Sequence, residues 1–72
     1  MAEERSIDVR WLEPPEPFER VVAELETLPR GATLKVQIHR EPHPLYQWLA
    51  REGLTFHTHF NSEGWFEILI TR

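Results

Sequence analysis

The sequence predicts an α+β fold, a two-layer α/β sandwich in which one mixed four-stranded sheet carries two helices on one face. Three observations predict it. Two stretches repeat their apolar residues with a helical period, and four alternate with the period of a strand. Their order along the chain is βαβαββ. A right-handed crossover in each βαβ unit places both helices on the same side. The closing hairpin must be antiparallel, and a coherent arrangement is strand order 1-2-4-3 with the fourth strand running against the others.

Each element has a local reason. Residues 1–5, M-A-E-E-R, read as a loose tail, and residues 6–72 as a single domain. Ile7 and Val9 alternate with Asp8, which predicts a short strand over 6–10. Across 15–28, Phe18, Val21, Val22, Leu25 and Leu28 form one apolar stripe of an amphipathic helix, closed by Pro29 and Gly31. T-L-K-V-Q-I-H follows, with Leu34, Val36 and Ile38 on one face. After E-P-H-P, the stripe Leu45, Trp48 and Leu49 predicts a second helix that stops at Gly53. Residues 54–60 alternate again, with Leu54, Phe56 and Phe60 inward and Thr55, His57 and His59 outward. N-S-E-G is a turn, and Phe66, Ile68 and Ile70 face inward from the last strand. The uncovered face of the sheet is then polar with a few large side chains: Asp8, Lys35, Gln37, His39, His57, His59, Trp65, Glu67 and Leu69.

Composition removes several functions. At 72 residues the core is small. There is no cysteine, so disulfides, thiolate metal sites and cysteine nucleophiles are absent. The net charge is −4 and the eight basic residues are scattered, which argues against a nucleic-acid partner. No apolar run is long enough for a membrane span, and the acidic start lacks the features of a signal peptide, so cytoplasmic residence is expected. No Ser/His/Asp order, phosphate loop or paired-acid pattern emerges. The chain is expected to be no enzyme on its own.

The stretch I-D-V-R-W-L-E-P-P-E-P at 7–17 resembles the signature of the TusA/SirA-like sulfur carriers, in which a strand and Gly-Leu lead to Cys-Pro-x-Pro at the start of the first helix. Leu12, Pro15 and Pro17 match, as does G-x-x-L-x-V at 31–36. Trp11 stands where that family has Gly, and Pro14 where it has the catalytic Cys. L-E-P-P-E-P together with H-R-E-P-H-P-L-Y is more similar still to a Cys-less branch catalogued as domain of unknown function 2249. The resemblance implies the carrier fold without its thiol. Sulfur relay requires a thiolate that becomes a persulfide, and Pro14 offers no nucleophilic atom.

The candidate binding surface is the end formed by Glu13, Pro14, Glu16, His39, Arg40, His43 and Tyr46. Prolines at 14, 15 and 17 remove backbone donors, and Glu13, Glu16 and Glu19 place negative charge at the helix start. That suits helix initiation and repels anions. Arg40 is expected to pair with Glu13 or Glu16, and Tyr46 to point toward the same surface. The four histidines His39, His43, His57 and His59 are the candidate metal ligands. His57 and His59 share a face but supply only two imidazoles. Trp65 and Leu69 are expected to form an apolar strip beside them, a surface through which a homodimer could pack. The leading function is therefore a non-catalytic protein-interaction or accessory module with no cofactor. A small divalent-metal-binding or metal-delivery protein, or a subunit that lends Arg40 or His43 to a partner enzyme, are the alternatives.

Overall fold

The computed structural model describes residues 3–72. Its elements are β1 (Glu4–Asp8), α1 (Glu16–Thr27), β2 (Thr33–Ile38), α2 (His43–Arg51), β3 (Thr55–Phe60) and β4 (Phe66–Thr71). The sheet order is β1-β2-β4-β3. β1 pairs parallel to β2, while β4 runs antiparallel to both β2 and β3. This is the expected α+β architecture. No helix among the described residues is long and apolar enough to cross a membrane.

The core follows from the two periodicities. Leu34, Val36 and Ile38 of β2 meet Ile68 and Ile70 of β4 on the inward face. Val21 and Leu25 of α1 and Leu45 and Leu49 of α2 close over them. All are buried, and no polar or charged residue is buried with them among the described residues. A buried unpaired polar group costs on the order of 1–3 kcal/mol; the indole Nε1 of half-buried Trp65, outside this cluster, is one such group.

Several elements differ from expectation. β1 opens at Glu4 rather than Ser6 and ends at Asp8, because the parallel ladder continues down to Glu4 opposite Thr33. Met1 and Ala2 of the expected tail lie outside the described residues. Arg5 occupies an inward position in place of an apolar residue. It reaches α1, where its Nη1 donates to Thr27 Oγ1 at 2.8 Å and its Nη2 to the Thr27 carbonyl at 3.3 Å. Phe60 was expected inward but is 59 % exposed, since β3 is an edge strand; it rests edge-on against Phe66. Trp48 is half-buried and meets Phe18 edge-on. The N-S-E-G turn is held by Asn61, whose Oδ1 accepts the backbone N–H groups of Glu63, Gly64 and Trp65. Gly64 there has φ 107°, a conformation that disfavours any side chain.

The open face carries its own polar contacts. Asp8 accepts from Arg10 Nε at 2.9 Å, from its Nη2 at 2.8 Å and from its backbone N–H at 3.0 Å. The Arg10 side-chain hydrogen bonds, seconded by its backbone N–H, hold the Asp8 carboxyl at about 2, below the usual carboxylate range. A depressed folded-state value stabilises the fold above the unfolded value of about 3.9, and that contribution disappears as pH falls toward 2. Asp8 is half exposed, so solvent screening keeps the contribution small. Asp8→Asn should be less stable than the parent at neutral pH, with the gap closing across that acid window in chemical denaturation. An unchanged gap would contradict the contact.

The expected Trp65–Leu69 strip is interrupted. Glu67 lies between the two in sequence on the same face and sits 3.6 Å from Lys35 Nζ, and the Arg10 guanidinium covers Trp65 at 4.3 Å from the ring centroid. Leu69 alone remains an exposed apolar side chain in that patch.

Candidate functional site

Both helices begin at the sheet end where β1 and β2 finish, and each directly follows a proline. Pro15 precedes α1 and Pro42 precedes α2, each helix has a further proline in its first turn, and neither has a side-chain cap. Proline tolerates this position because its missing N–H would find no helical partner there. The two starts enclose an apolar groove of about 210 Å³. Leu12, Pro14, Pro15 and Pro17 line one side, with Ile38, Pro42, Pro44 and Leu45 opposite. Five of the six prolines of the chain line it.

The rim is built by the turn after β1. Trp11 has φ 69°, a left-handed conformation rare for a bulky residue. Its backbone N–H donates to His39 Nδ1 at 2.9 Å, and its ring stacks on the His39 imidazole at 5.1 Å. Because Nδ1 accepts, the imidazole carries its proton on Nε2. Trp11 is nevertheless 70 % exposed. Glu13, Pro14, His39 and Arg40 continue this wall into a shallow depression beside the groove.

The structure divides the expected site. Glu13, Pro14, His39 and Arg40 do come together. The expected ion pair of Arg40 with Glu13 or Glu16 is not formed: among the described residues Arg40 has no carboxylate within salt-bridge distance, and Glu16 instead faces Arg20 at 3.8 Å, one helical turn on. His43 and Tyr46 belong to the other side of α2. The Tyr46 hydroxyl lies 3.1 Å from Glu41 and 2.7 Å from Thr58, and its ring stacks on Phe56 at 4.9 Å. His43 lies edge-on to that ring and 3.6 Å from Glu41. Tyr46 therefore ties α2 to β3 rather than facing the groove. Sequence reasoning overlooked Trp11, Leu12 and Ile38 as groove or rim residues, although the proline density on both segments was the available signal.

Burial, with help from the Glu41 carboxylate, pushes the Tyr46 phenol above its ordinary value, against an opposing hydrogen bond from Thr58. The neutral phenol is thus the form the fold favours. Its contribution is complete below the ordinary value of about 10 and is lost as pH rises through the raised one. Tyr46 is the single tyrosine, so an absorbance titration of the phenolate band reads it alone. Its midpoint should lie above that of a free tyrosyl peptide; an equal or lower midpoint would contradict this packing.

The histidines do not converge. Among the described residues no group of three or more His, Asp or Glu could hold a metal ion. His57 and His59 lie on the open face, opposite Leu69 and Glu67 of β4. Among the described residues no cysteine, serine or threonine lines the groove; its polar side chains are His39, Arg40 and Glu41.

The model of an uncharacterized conserved protein family, DUF2249, matches residues 6–72. The chain belongs to that family. Among solved structures, this DUF2249 chain is similar to a SirA-like protein from Desulfitobacterium hafniense, with a TM-score of 0.79 and 19 % identity over 92 % of this chain and 93 % of that one. At that identity the likeness establishes the fold alone. No curated protein matches the chain. DUF2249 membership and the SirA-like fold accord with the Cys-less scaffold implied by the motif at 7–17.

Proposed function

We propose that this DUF2249 protein is a non-catalytic interaction module of the cytoplasm that receives an apolar segment of a partner protein in the groove between its helix starts. The observation that carries the reading is the groove itself, an apolar trough with an exposed Trp11 on its rim and, at its edge, Arg40, which has no carboxylate partner among the described residues. Trp and Arg are the side chains that most often anchor protein interfaces. Proline walls offer no backbone donors, so such a groove selects apolar contact over anion binding. The absence of cysteine removes the chemistry by which a SirA-like scaffold could carry sulfur.

Site-specific photocrosslinking in the native host tests it. A photoreactive residue in place of Trp11 should trap one defined protein, and the same residue in place of the exposed Gln47 should not. Arg40→Glu should sharply reduce the trapped product. Identical adducts from both positions, or none from position 11, would contradict the reading.

A further inference from the structure

We propose that two copies of this chain pair edge to edge along β3, and that the pairing completes a four-imidazole site for a divalent transition metal. The inference starts from five residues. Phe56-His57-Thr58-His59-Phe60 reads the same in both directions. β3 forms one margin of the sheet, so its second side has no strand partner among the described residues. It has none of the usual protections of an edge: no Pro, no Lys and no other charged residue between Thr55 and Phe60.

The hydrogen-bond phase of β3 fits the palindrome. Asn61 donates to the Trp65 carbonyl at 2.9 Å in the β3–β4 register, and Arg72 donates to the Ala32 carbonyl at 3.1 Å in the β2–β4 register. In an antiparallel ladder these bonds alternate from residue to residue. The backbone groups of His57 and His59 therefore point into the sheet toward β4. Those of Phe56, Thr58 and Phe60 point out of its edge. A two-fold axis through Thr58 sets Thr58 against the partner's Thr58 and Phe56 against the partner's Phe60. Every outward N–H and C=O on these three residues then gains a partner. Registers shifted by two residues leave at least one of them unmatched within the strand. Phe60, exposed in the single chain, would lie opposite the partner's Phe56 and beside its stacked Tyr46 ring.

The same register places His57 opposite the partner's His59, and His59 opposite the partner's His57. Both are non-hydrogen-bonded pairs, whose Cα atoms approach to about 4.5 Å with side chains close together. Along each strand the two histidines leave the same face about 6.6 Å apart. Four imidazoles would thus surround one point on the open face. One chain supplies only two ligands, which accounts for the lack of a three-ligand group within it. Imidazole suits zinc, copper and nickel ions, and four donors satisfy the coordination number of zinc. Glu67, opposite His59 on β4, is positioned to accept from an imidazole N–H not bound to metal.

Sedimentation of the full chain with Zn²⁺ and with a chelator tests the proposal, alongside a direct zinc titration. The expected result is one zinc ion per pair of chains and self-association at least about tenfold tighter with zinc than with chelator. The His57→Ala/His59→Ala variant should keep its circular dichroism spectrum and lose both effects. Phe60→Lys leaves every ligand in place but puts a charge on the edge, so it should weaken association and zinc binding together. A single chain at saturating zinc overturns the proposal. So does association equally tight with chelator, or zinc-dependent association that survives in both variants.

Discussion

Ile68→Ala should leave the chain largely unfolded at room temperature. Ile68 is fully buried on β4, the strand that joins β2 to β3, and it sits between Val36 and Thr58. Truncating a buried aliphatic side chain of this size costs about 2–5 kcal/mol through lost transfer energy and the cavity left behind. A single core below roughly 80 residues rarely supplies more than about 3–5 kcal/mol in total. There is no disulfide to limit the unfolded chain. The substitution therefore removes most or all of the stability. Leu69→Ala, one residue along on the exposed face, should leave the cooperative transition almost unchanged. Thermal circular dichroism of the pair checks this. A normal cooperative melt for Ile68→Ala would mean that β4 is not the centre of the core.

Trp11→Gly should separate stability from binding. Trp11 holds a backbone conformation that glycine adopts freely, and most of its side chain is in solvent. The bond to His39 comes from the Trp11 backbone N–H, so glycine retains it. What the fold loses is the ring stack on the imidazole; what it gains is relief of a left-handed bulky residue. The net stability should be unchanged or raised by up to about 1 kcal/mol. Affinity for the partner trapped at this site should fall by roughly thirtyfold or more, the loss of an interface anchor worth about 2 kcal/mol. A destabilised variant would show that Trp11 serves the fold. An unaltered affinity would show that the partner docks elsewhere.

The elements were legible where the apolar residues keep their period, most plainly in β2 and α1. Leu34, Val36 and Ile38 alternate, and Val21 and Leu25 fall on one stripe, so element order and sheet topology followed from chain-connection rules. The start of β1 was not legible, because Arg5 stands at an inward position and is satisfied by α1, a contact between residues far apart in sequence. Phe60 misled for a different reason: its period is correct, but an edge strand lacks enough cover to bury it. At the site, the helix starts could be read from their prolines. The groove they enclose could not, because it depends on how far apart the packed helices stand. The Trp11–His39 contact likewise depends on the turn after β1 meeting the end of β2. Tyr46 is drawn from the expected surface by a hydrogen bond with Thr58 of β3, a tertiary contact that the sequence around Tyr46 does not reveal.

The most direct test of the docking reading is amide hydrogen exchange of the full chain, alone and bound to the partner trapped at position 11. The account predicts new protection confined to residues 11–18 and 39–45, the segments that build the groove and its rim. Protection that falls instead on β3 and β4, with the helix starts exchanging as in the free protein, would contradict it.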